Sequence, residues 1–128
     1  MSGTAGTVRR SRRAGARIAI AGVSATSAPL RALRRAELDD VTFVAEAAEL
    51  RDADMLVFVA AESDAIDVAR TAALAESARE RGMLVAAIVA AASDARPSPL
   101  LAAMRDAADL VMVVREHEDI RAIVAALR

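Results

Sequence analysis

Cysteine is absent from the 128 residues, which excludes disulfides and thiolate metal sites. Lysine, tryptophan and tyrosine are missing too, and the aromatic side chains are limited to Phe43 and Phe58. With His117 as the single histidine, a zinc centre would have to rest on carboxylates and water, so no metal site is expected. Of five glycines, three fall in the first fifteen residues, leaving Gly22 and Gly82 for the rest of the chain. No apolar run reaches the ~18 residues needed to cross a bilayer. The N-terminal segment also lacks the apolar stretch of a secretory signal, so a cytoplasmic location is expected.

What is present is aliphatic. Hydrophobic residues make up 55% of the chain and aromatics 2%, so Ala, Val, Leu and Ile must form the core. The length suits one domain able to bury a core without cross-links. All 17 basic residues are arginine, a bias expected of a GC-rich coding sequence. Residues 1–17 carry five arginines and no acid; the remainder carries 12 arginines against 18 acids, a net charge of −6. An acidic body argues against nucleic-acid binding. Residues 1–16, rich in Gly, Ser, Thr, Ala and Arg, read as a flexible basic tail able to meet anionic surfaces, and residues 17–128 as the folded domain.

Along that domain, apolar runs alternate with helical patterns. Strands are expected at Arg17–Val23, Val41–Ala45, Met55–Ala60, Met83–Ala90 and Leu110–Val114. A first helix starts near Pro29 and turns Leu30 and Leu33 inward, with Arg31, Arg34 and Arg35 outward. A second is capped by Ser63 or Asp64 and closed near Arg81 by Gly82 in a left-handed conformation. A third runs from Pro99 to Ala107 behind Ser98. A last one, about Glu118–Leu127, buries Ile120, Ile123, Val124 and Leu127. Strict alternation requires crossover connections. The expectation is therefore an α/β fold: a three-layer α/β/α Rossmann-like domain, with about five mostly parallel strands and helices on both faces. Such sheets bind ligands beyond the carboxyl ends of their strands. The candidate ligand-binding residues are Gly22, Ser24, Thr26, Ser27, Ser63 and Asp64. Hydroxyls and helix N–H groups after strand one could hold a phosphate. Asp64 and Asp67, with Glu62, could hold Mg²⁺ through carboxylates and water, but helix capping and pairing with Arg70 account for them more simply. His117 has no nucleophile at a recognisable spacing, so no catalytic residue is expected. Met104 and Met112 are expected to fill core space.

Three stretches resemble the nucleotide-binding half of FtsZ, the bacterial tubulin homologue and cell-division GTPase. They are IAGV (20–23) with LDDVTFVA (38–45), DADMLVFVAA (52–61) with AESARERGMLVAAIV (75–89), and AADLVMVVRE (107–116). The family holds GTP phosphates on glycine-rich loops whose bare N–H groups approach the oxygens closely. Here the first such loop reads Val23-Ser24-Ala25-Thr26-Ser27, and the GGGTGTG loop falls on Ser63–Ala69, without a glycine. A Cβ blocks close approach and disfavours positive φ. Asp64 and Asp67 would face a polyanion, at about 4 kcal/mol for each like-charge contact near 4 Å in a dielectric of about 20. The acidic loop that completes hydrolysis in the family has no counterpart here. The resemblance thus implies a degenerate relative that does not hydrolyse GTP and needs no cofactor, neither GTP nor GDP. It would act by association with a protein partner or with itself. The alternatives are a domain that binds a nucleotide or sugar phosphate at the loop after strand one, and a degenerate receiver-like or sugar-isomerase-like regulatory module. A receiver orders its strands 2-1-3-4-5, whereas the FtsZ-like order is 3-2-1-4-5-6.

Overall fold

The computed structural model describes residues 17–24, 27–36, 38, 40–91 and 98–127. The basic segment 1–16, Thr26 and the stretch 92–97 lie outside the described residues. In chain order the elements are β1 (Ile18–Gly22), α1 (Ala28–Arg35), β2 (Val41–Phe43), a 3₁₀ turn (Ala47–Glu49), β3 (Met55–Ala61), α2 (Val68–Glu80), β4 (Leu84–Ala90), α3 (Pro99–Ala107), β5 (Leu110–Val114) and α4 (His117–Leu127). The strands form one sheet in the order β2-β1-β3-β4-β5, and every neighbouring pair is parallel.

The period of two along each strand divides the core into two layers. Ala19, Ala21, Leu56, Phe58, Val85, Ala87 and Val89 face α2 and α3, meeting Leu74, Ala78, Leu100 and Met104. Ile18, Ile20, Val57, Val59, Ala86 and Ile88 face α1 and α4, meeting Leu30, Leu33, Ile120 and Val124. Strands β1, β3 and β4 are therefore buried on both faces, which is why their sequences read as unbroken apolar runs. Ile123, Leu127 and Met112 are half-buried at the margin of the second layer.

Local chemistry sets the helix ends. Ser98 accepts a hydrogen bond from Leu101 N–H at 3.1 Å, with Pro99 in the first turn, as its sequence predicts. At the other end of α2, Gly82 has φ +75°. Gly82 N–H donates to Arg79 O at 3.0 Å and Met83 N–H to Ala78 O at 2.9 Å, a Schellman closure with Met83 buried. The start of α2 differs from expectation. Neither Ser63 nor Asp64 caps it; Asp67 does, accepting from Arg70 N–H at 3.1 Å. Residues 62–67 are instead used as a loop. Asp64 turns back to accept from Ala61 N–H at 2.8 Å, and Asp67 N–H reaches across to Val23 O at 2.8 Å. Ser27 precedes α1 as expected but makes no side-chain cap.

Candidate functional site

In this strand order the connections from β1 and β3 leave in opposite directions, to α1 on one face of the sheet and α2 on the other. The crevice between their carboxyl ends is where ligands of such sheets usually sit. Its walls are the loops after Gly22 and after Ala61, so the fold brings five of the sequence-derived candidates, Gly22, Ser24, Ser27, Ser63 and Asp64, to one end of the sheet. Thr26 lies outside the described residues.

Most of the polar groups there are already engaged. Ser27 is fully buried and its hydroxyl donates to Val59 O at 3.4 Å, across from α1 into the sheet. Asp64 is held by Ala61 N–H, and Ser24 O accepts from Ser27 N–H at 3.3 Å. Ser63 is exposed. Gly22 serves packing rather than open access: a Cβ built there would lie 2.8 Å from Ser24 O and 2.9 Å from Leu30 Cδ2. The residue that closes the crevice is Arg70, in the first turn of α2. Its Nη1 and Nη2 both donate to Gly22 O at 3.2 Å, and its Nε donates to Ala45 O at 3.0 Å. One guanidinium thus binds the carbonyls that end β1 and follow β2, using the planar fork that suits two acceptors at once. With Asp67 N–H on Val23 O, the loop after β3 is tied to the end of β1 from two directions.

Beside this closure lies a hollow of about 250 Å³ lined by Leu30, Arg31, Arg34, Val44, Ala45, Asp67 and Arg70. Arg34 stacks over the Phe43 ring at 4.9 Å. A larger hollow, about 560 Å³, runs from Ile66 in the loop after β3 along α2 to Glu80, against Ala103, Asp106 and Ala107 of α3. Thr71 lines it, 2% exposed, with a hydroxyl that has no hydrogen-bond partner among the described residues. No group of three or more His, Asp or Glu side chains is arranged to hold a metal among the described residues. Glu62, Asp64 and Asp67 share a loop without forming such a group. His117 opens α4 behind β5. No helix among the described residues is long and apolar enough to cross a membrane.

Sequence reasoning pointed to the strand ends but did not foresee Arg70 there. Arg70 stands 48 residues from Gly22, and nothing local in a helix reading Val-Ala-Arg-Thr marks its third residue as the cap of another strand. The α2–α3 hollow was equally invisible, because it depends on how two helices are spaced across β4. No protein-family model and no curated protein matches the chain.

Proposed function

We propose that this chain is a non-catalytic α/β domain that acts by protein association, without GTP hydrolysis. The observation that carries this reading is the closure of the strand-end crevice by the chain's own groups. A triphosphate needs unoccupied N–H donors at close range. Here the Asp67 N–H is spent on Val23 O, the Arg70 guanidinium on Gly22 O and Ala45 O, and Asp64 presents a carboxylate in the same loop. The larger hollow starts at the loop after β3 and runs between α2 and α3, on the other face of the sheet from α1.

An FtsZ-like scaffold and a receiver-like module both remain consistent with the sheet. The observed order is that of a receiver, and it is also what 3-2-1-4-5-6 becomes when its third strand is deleted. The link between β2 and β3 holds only a single 3₁₀ turn, which suits such a deletion. In either version the domain is a scaffold for cell-division or regulatory partners, engaged through its surface and not through turnover.

A second reading has one observation in its favour. Arg31 and Arg34 line the small hollow next to the loop after β1, together with Asp67, and a sugar phosphate or nucleotide phosphate there would meet two guanidinium groups not committed to backbone carbonyls. Calorimetric titration with GTP, GDP and a panel of sugar phosphates separates the two. The association reading predicts no saturable heat at millimolar ligand. Saturable binding that Ser24→Ala or Arg31→Ala abolishes would replace it with the second.

A further inference from the structure

Helices α2 and α3 follow β3 and β4 on the same face of a parallel sheet, so they lie side by side and run in the same direction. Between them is the hollow of about 560 Å³. Helical spacing explains why it is there. On α2 the rows Thr71–Ala75–Arg79 and Ala72–Glu76–Glu80, each stepping by four residues, turn toward α3, and Ala103 and Ala107 face them from the other side. Methyl groups at Ala72, Ala75, Ala103 and Ala107 leave open the space that larger side chains would occupy. Toward the C-terminal ends Arg79 bridges the two helices, its Nη2 donating to Ala107 O at 2.6 Å.

Small residues alone would make only a gap. Thr71 makes it more than that, because it is 2% exposed in the wall of the hollow and its hydroxyl has no hydrogen-bond partner among the described residues. A helical threonine commonly returns its hydroxyl to the carbonyl four residues back. Here Asp67 O accepts from the Thr71 amide at 3.0 Å, and the hydroxyl is left without an acceptor. Valine has the same shape and would avoid the cost of a buried unpaired hydroxyl. Unbonded, the hydroxyl can turn between the two χ1 states open to a helical threonine and meet a polar atom lodged in the hollow. The other polar groups are carboxylates. Those of Glu76, Glu80 and Asp106 are exposed along the mouth and make no hydrogen bond or ion pair among the described residues. Arg79, by contrast, is engaged by Ala107 O and by Asp109. The uncommitted charge at the mouth is therefore negative.

We propose that the α2–α3 hollow is a small-molecule site for an amphiphilic amine. The ligand carries a hydrogen-bonding oxygen at one end for Thr71, an apolar body along Ala72, Ala75 and Ala103, and a protonated amine at the other end for Glu76, Glu80 and Asp106. Along the helix axis Thr71 stands roughly 8 Å from Glu76 and 14 Å from Glu80, which sets the separation of the two ends. A hollow of this volume, with apolar walls and a few polar groups, has the form of such sites. The carboxylates at its mouth turn away phosphates and other anions. This goes beyond the association reading and does not depend on it.

Titration of 8-amino-1-octanol into the whole chain at neutral pH, with alanine and threonine methyl signals followed by NMR, tests it. The extended length of this probe falls between the two separations. The expected result is saturable binding with shifts at Thr71, Ala75 and Ala103. n-Octylamine, which lacks the oxygen, should bind more weakly, and 8-hydroxyoctanoate, with the charge reversed, should not bind. Thr71→Val should weaken the amino alcohol about three- to tenfold and leave octylamine unchanged, since only the amino alcohol uses the hydroxyl. Glu76→Gln together with Asp106→Asn should weaken both amines at least ~threefold. Ala103→Leu fills the hollow and should abolish binding. No saturable shift at millimolar probe, equal binding of the carboxylate, or a Thr71→Val loss shared by octylamine overturns the inference. If Ala103→Leu fails to fold by circular dichroism, the comparison of the two amines on Thr71→Val decides alone.

Discussion

At Gly22 the first strand meets α1 with no room for a side chain. A Cβ there would press on Ser24 O, a backbone atom, and on Leu30, which is buried. Gly22→Ala is expected to cost about 1–3 kcal/mol by overpacking. Gly82 has the opposite character: nothing lies within 4 Å of its notional Cβ, but its φ of +75° is left-handed. Gly82→Ala should therefore cost roughly 1–2 kcal/mol from backbone conformation alone. Urea unfolding of both variants checks the pair, and an unchanged stability at either position would contradict the cause assigned to it. Glu49 sits where the fold favours its charged form. Its carboxylate accepts from Ala45 N–H at 2.8 Å and Glu46 N–H at 3.0 Å, and these bonds hold its pKa below the ordinary 4.5, with Arg34 and Arg51 adding smaller attractions. Because the folded value is the lower one, the contribution to stability is complete above about 4.5 and is lost as pH falls through the folded value. Carbon-detected NMR titration of Glu49 should show that downward shift, and Glu49→Gln should flatten the acid limb of the stability profile.

Elements differ in how plainly the sequence announced them. The strand Met55–Ala61 and the helix Pro99–Ala107 were legible because their signals are local: a continuous apolar run in one case, Ser98-Pro99 at the start of a periodic pattern in the other. Ser98→Ala is accordingly expected to cost about 1 kcal/mol, read from thermal unfolding. The start of α2 was misplaced by several residues because one deciding bond is long-range. Val23 O draws in Asp67 N–H from another strand end, while Asp64 is taken up locally by Ala61 N–H and so is not spent on the helix. The candidate site divides in the same way. Its location followed from strand alternation, whereas its closure followed from Arg70 reaching two other strands. Arg70→Ala would leave two strand-end carbonyls unpaired and should cost about 1–3 kcal/mol. Arg70→Lys, with a point charge in place of a fork, should lose a smaller part of it.

For the molecule as a whole, one parallel sheet with its two core layers holds the functional question at a single place, the ends of β1 and β3. A fold of this kind offers a ligand crevice there by default. In this chain a helix arginine, an amide and a carboxylate fill it, and the remaining distinctive surfaces are a helix–helix hollow and a bare apolar edge strand. The charge balance agrees with the proposed reading, since an acidic body repels phosphate at long range. The closure can be watched directly through the Arg70 Nε–H, which donates to Ala45 O, and the Asp67 amide, which donates to Val23 O. Proton–nitrogen NMR with and without millimolar Mg·GTP should show both signals slow to exchange with solvent and unmoved by nucleotide. Saturable shifts of these two signals on adding GTP, with loss of their protection, would contradict a crevice closed by its own chain.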